Sequence, residues 1–131
     1  MPLCWSHAEY ISLVRSRHDR VCFDRVEPAF QRYVVNPVQH RHEIWSLRHP
    51  LRRMSHGKIL RIILPAEATI VWSTDDWTRT NQSDTTHESG LNLWFADFPT
   101  AEWPGDCVMI FTCFWKRDQR WQGRNWQVSV L

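Results

Sequence analysis

Three tryptophans stand among residues suited to holding a sugar. Trp77 lies in a turn-rich stretch with Asp75, Asp76 and Asn81. Trp94 alternates with Leu91, Leu93 and Phe95, so it is expected to point away from the core those residues join. Trp121 follows the polar link Lys116-Arg117-Asp118-Gln119-Arg120. The apolar C–H face of a glucose ring stacks on indole, and nearby carboxylates and amides take its hydroxyls. Trp77, Trp94, Trp121, Asp75, Asp76 and Asn81 are therefore the candidates for carbohydrate contact. Packing at a sheet edge is the commoner role for such rings, since Trp is largely buried whatever else it does. Trp72, Trp115 and Trp126 have apolar neighbours and are expected in the core.

Other chemistries find less support. Cys107 and Cys113 are six apart on one strand face, ~20 Å between them at ~3.3 Å per residue, too far to share a zinc ion. His40 and His42 lack a Cys-x-x-Cys or His-Glu-x-x-His companion, so no metal is expected. Ser6-His7 has no nucleophile elbow around it, and Asp75-Asp76 reads as a turn. No cofactor is implied. Fourteen of the sixteen basic residues are Arg, among them Arg15, Arg17, Arg20, Arg25 and Arg32. Nucleic acid would use them. Pairing with carboxylates explains them better, because residues 1–65 carry 11 basic and 5 acidic groups and residues 66–131 carry 5 and 9. No nucleic-acid partner is expected.

Composition excludes further classes. Nine Trp and six Phe in 131 residues are too many for a solvated coil. Runs such as Ile62-Ile63-Leu64 and Val108-Met109-Ile110-Phe111 are far short of the ~20 residues a membrane helix needs. Four cysteines without a signal-peptide pattern read as reduced thiols, and the expected compartment is the cytoplasm.

The elements that must position these residues fall into two regimes. Residues 1–18 read as a helix, with Leu3, Tyr10, Ile11 and Val14 on one stripe and Trp5 and Leu13 on other sides. Such a helix expects cover on more than one flank. Residues 19–42 read as a connector, in which Arg32-Tyr33-Val34-Val35 is expected to be extended. Residues 43–131 read as β, with strands over 43–48, 58–64, 69–73, 91–96, 107–115 and 125–130 separated by turn-rich breaks. Short links without helices favour an Ig-like antiparallel β-sandwich preceded by one N-terminal helix and an extended connector.

Several segments, in order, resemble the C-terminal end of bacterial glycoside hydrolase family 15 enzymes, the glucoamylases and glucodextranases. Pro2-Leu3-Cys4-Trp5-Ser6-His7-Ala8-Glu9-Tyr10-Ile11 is similar to the family's "PL-W-HAEY" entry to the last helix of its (α/α)6 barrel, and Val21-Cys22-Phe23-Asp24 to the "VFD" that follows. His49 to Met54 and Gly57 to Ile62 resemble the opening of the β domain after the barrel. Trp72 to Trp77, Ala96 to Thr100 and Arg120 to Trp126 continue the likeness. Asp19-Arg20 departs from it where the family usually has Gly, as do Gln122 and Trp126 where Glu and Phe are common.

The resemblance implies α-glucan hydrolysis by inversion in the parent enzyme, with a carboxyl acid and a carboxylate base. Both glutamates precede the "PL-W-HAEY" stretch in the family, so no catalytic residue carries over, and Glu9 is not the base. The expectation is a fragment: a non-catalytic accessory portion that braces the barrel, with an α-glucan or maltooligosaccharide as its ligand. Its rivals are a self-standing carbohydrate-binding sandwich and a homo-oligomer formed through the N-terminal helix.

Overall fold

Residues 4–131 are described by a computed structural model, and the chain divides into two compact units, Met1–Gln39 and His40–Leu131. In the first unit, helix α1 spans Cys4–Asp19. It ends where Arg20 turns to φ 55°, and the Val21 N–H reaches back 3.2 Å to the Ser16 carbonyl. That is a left-handed helix end, the conformation for which Gly is preferred. Helix α2 spans Glu27–Phe30 and runs on as a wider π-helical turn over Gln31–Val35. The extended reading of Arg32–Val35 is therefore corrected. The β propensity of Tyr-Val-Val gives way to local helix-forming contacts: Pro28 sits in the first turn, where it costs no hydrogen bond, and Gln31 Nε2 donates 2.7 Å to Glu27 Oε1 one turn back. No residue of either helix is buried; Leu3, assigned to the α1 stripe, lies outside the described residues.

The second unit is mainly β, in two sheets. Its strands are β1 (His42–Ser46), β2 (Arg53–Met54), β3 (Ile59–Leu64), β4 (Ala68–Ser73), β5 (Asn81–Asp84), β6 (Thr86–Glu88), β7 (Leu93–Pro99), β8 (Cys107–Trp115), β9 (Arg120–Trp121) and β10 (Trp126–Val130). One sheet has the order β1-β3-β7-β6. The other has the order β2-β10-β8-β4-β5, with β9 paired to β8. β8 is apolar on both faces and lies mid-sheet, as its composition requires. β10 alternates buried Trp126, Val128 and Val130 with Gln127 and Ser129, the pattern of a strand with one wet face. Antiparallel pairing is the rule, but β1 joins β3 and β2 joins β10 in parallel. The chain between β1 and β3 passes through β2 in the other sheet, and that detour supplies the crossover a parallel pair needs.

The core lies between the sheets. Trp45, Leu60, Ile62 and Leu64 enter it from one, and Ile70, Met109, Phe111, Cys113 and Val128 from the other. Trp45 meets the Phe111 ring edge-on at 4.9 Å and the Trp126 ring at 5.0 Å. Trp115 and Trp126 are buried, and half-buried Trp72 packs on the same cluster. Phe111 is wholly enclosed, so Phe111→Ala leaves a cavity between the sheets. We expect urea unfolding to show a loss of about 3–5 kcal/mol for this variant.

Candidate functional site

The outer face of the β8 sheet follows from the inner one. Cys113 and Trp115 point inward, so Phe114 between them points out. Direct cross-strand partners share a face, and Phe114 is opposite Trp121 on one side and Thr69 on the other. Thr69 is in turn opposite Asp84. Trp121, Phe114, Thr69 and Asp84 thus form one row across four strands, about 14 Å long at ~4.8 Å per strand. Trp121 is 55% exposed and leans edge-on against Phe114 with ring centroids 5.2 Å apart. At the other end Thr69 Oγ1 donates 2.6 Å to Asp84 Oδ1, and Lys116 lies 3.2 Å from the same carboxylate. The Thr69 hydrogen bond, then the one from Lys116, holds the Asp84 carboxyl below its ordinary range, so it stays an ionised acceptor. The row is an aromatic step with a charged acceptor beyond it.

The six sequence candidates do not converge. Asp75, Asp76 and Trp77 share the turn after β4, where Asp76 and Trp77 take the left-handed φ values 53° and 66°. Buried Ser73 builds this turn: its hydroxyl donates 2.7 Å to Asp75 Oδ1 and accepts from the backbone N–H of Asp75 and of Trp77. Asp75 Oδ1 also takes the Arg79 N–H at 2.9 Å, and that bond, followed by Ser73, lowers the carboxyl's pKa. Asp75 is therefore committed to the turn, and half-buried Trp77 is anchored by its backbone. Asn81 lies not in the turn but in β5, opposite Trp72.

The orientation expected for Trp94 is reversed. Its cross-strand partner Leu64 is buried, and Ala96 and Phe98 on its own face are core residues. Trp94 therefore leans toward the inner side of the other sheet, tilted against the His87 ring at 4.7 Å. Its neighbour Phe95 faces outward instead, beneath the Arg61 guanidinium at 4.3 Å from the ring centroid.

Thr74, Asp75 and Asp76 also border a cleft of about 510 Å3 with Pro104, Gly105 and Asp106. No group of three or more His, Cys, Asp or Glu among the described residues could hold a metal ion. Arg61 bridges the two halves of the sequence as expected, with two 2.7 Å bonds to Asp97. Two arginines of the first unit pair locally instead, Arg15 with Asp19 and Arg25 with Glu27, while Arg17, Arg20 and Arg32 form no ion pair among the described residues. Phe114 was absent from the sequence candidates. The signal for it was the polar break Lys116–Gln119, which folds β9 back beside the end of β8.

No helix of the described residues is long and apolar enough to cross a membrane. No protein-family model, curated protein or solved structure matches the chain.

The four thiols are free and differ sharply in access. Cys4 and Cys22 are exposed, although the Asp24 carboxylate accepting the Cys22 S–H raises that thiol's pKa. Cys107 and Cys113 are buried, and burial pushes Cys113 up to about 12. The thiolate is the reactive form, so a chromogenic disulfide reagent at neutral pH should titrate Cys4 first, then Cys22. Two further equivalents should react only after denaturant is added.

Proposed function

We propose that the β unit is a non-catalytic carbohydrate-contacting module and that the chain is an accessory portion of a glucoamylase-like α-glucan hydrolase. One observation carries the binding part: Trp121 is a largely exposed indole at the head of a flat row that ends in an ionised carboxylate. A glucan lying along that row stacks the C–H face of one ring on the exposed Trp121 indole and offers hydroxyls to Thr69 and Asp84. The assignment to α-glucan metabolism rests on the ordered motif resemblance alone.

The test is a titration of the full chain with maltoheptaose, followed by tryptophan fluorescence, with mannitol as control. We expect a saturable shift with Kd in the micromolar to low millimolar range (about −8 to −4 kcal/mol), lost in Trp121→Ala and retained in Trp77→Ala. A flat trace for the parent chain refutes the binding role. Release of glucose from maltooligosaccharides at enzymatic rates refutes the non-catalytic one.

A second reading comes from α1. Trp5, Tyr10, Ile11 and Leu13 are each about two-thirds exposed or more, and they do not share one stripe. Apolar surface of that extent marks an interface, and the candidate partner is the same helix in a second copy of the chain. Light scattering should then show a mass that rises with protein concentration and reverts to the monomer in Tyr10→Lys/Ile11→Lys. A concentration-independent monomer eliminates this reading.

A further inference from the structure

At the start of β10 lies a cleft of about 260 Å3, lined by none of the residues of the Trp121 row. Trp45, Trp126, Pro50 and Leu51 give it apolar walls, and Arg52 and Arg124 give it two positive charges with no lining carboxylate. Neither arginine forms an ion pair among the described residues. Trp45 is fully enclosed, yet its indole N–H has no hydrogen-bond partner. Buried donors are nearly always paired, so this orphan marks out one of the residues that line the cleft.

The backbone around the cleft is fixed. The Ser129 N–H bonds the Arg52 carbonyl at 2.9 Å, and the Thr112 hydroxyl donates 2.8 Å to the Arg124 carbonyl. Both arginines therefore start from anchored positions beside β10 and β8. Guanidinium and indole only donate hydrogen bonds. The side-chain acceptors of the lining are the amide oxygens of Asn125 and Gln127, set against two guanidinium charges, so an anion matches the cleft better than a neutral sugar. The volume is below the ~300 Å3 at which drug-sized pockets begin, so the occupant is small.

We infer that this cleft binds a small organic oxyanion, a carboxylate or phosphate group on a compact body, held by Arg52 and Arg124 and flanked by the Trp126 ring, with the enclosed Trp45 indole behind the wall. The inference does not depend on glucan binding, because it uses different residues and a charged rather than a neutral ligand.

The test is NMR on the full chain, following the tryptophan indole N–H signals at constant ionic strength. The probes are glucuronate, glucose 6-phosphate and, as the neutral control, glucose. We expect the Trp45 indole signal to move saturably with at least one charged probe and not with glucose. The probe that moves it further identifies the oxyanion as carboxylate or phosphate. Arg52→Gln and Arg124→Gln, at exposed positions, should each weaken binding roughly tenfold while leaving the other indole signals in place. Trp121→Ala should leave the response unchanged, which separates failure here from failure of the glucan reading. The inference is overturned if neither charged probe moves the Trp45 signal, as for an N–H that holds only an ordered water. It is equally overturned if both arginine variants respond like the parent chain.

Discussion

The contact of Trp45 with Phe111 and Trp126 is the constraint from which the rest of the β unit follows. These three rings come from β1, β8 and β10, so they join the two sheets at the centre of the core. Edge-to-face geometry at about 5 Å contributes beyond simple burial, and it sets both the spacing of the sheets and the direction in which each strand faces. Once Phe111 points inward, a period of two sends Cys113 and Trp115 in and Phe114 out. A slip of one residue would turn every one of these side chains to the opposite face.

That coupling explains why an exposed aromatic row can exist on a stable sheet. The outer faces of β8 and β4 carry a mixed set: Val71 and Ile110 are largely covered, while Phe114 and Thr69 stay partly open. The row's energy comes from the inner face, so Trp121 and Asp84 are free to be exposed without weakening the fold. The other sheet solves the same problem differently. Phe95 faces outward there too, but the Arg61 guanidinium covers its ring while bound to Asp97. One outward aromatic is capped and the other is not, and only the uncapped one can stack on a ligand.

Legibility in the sequence tracked how much of an element's pattern is its own. β8 and β10 have enough residues for their alternation to stand out, and both lie close to where the pattern put them. β2, β5, β6 and β9 have two to four residues each and are mostly polar; a longer neighbour templates them through ladder bonds, and no internal period records this. Trp94 misled because Leu93 and Phe95 read as the apolar set, whereas the burial of Ala96 and Phe98 decides the register. Arg32–Val35 misled through propensity, since three β-favouring residues yielded to a turn already started by Pro28 and Glu27. The candidate site was legible only at Trp121. Its neighbour Phe114 depends on how β9 folds back, and the Trp45 cleft depends on segments more than 70 residues apart.

The two candidate surfaces differ in charge and in the strands that carry them. The outer row ends in a carboxylate that is compensated by Lys116 and accepts from hydroxyls. The cleft at the start of β10 has two guanidiniums without a lining carboxylate, a set whose charge suits an oxyanion. Because β8 carries Phe114 of the row and pairs with β10, which carries Trp126 of the cleft, a substitution that shifts their register would disturb the two together, whereas exposed-side-chain changes at Trp121 or at Arg52 and Arg124 address each alone. The β unit is thus better understood as a pair of sheets that carries two chemically distinct sites than as a single binding patch.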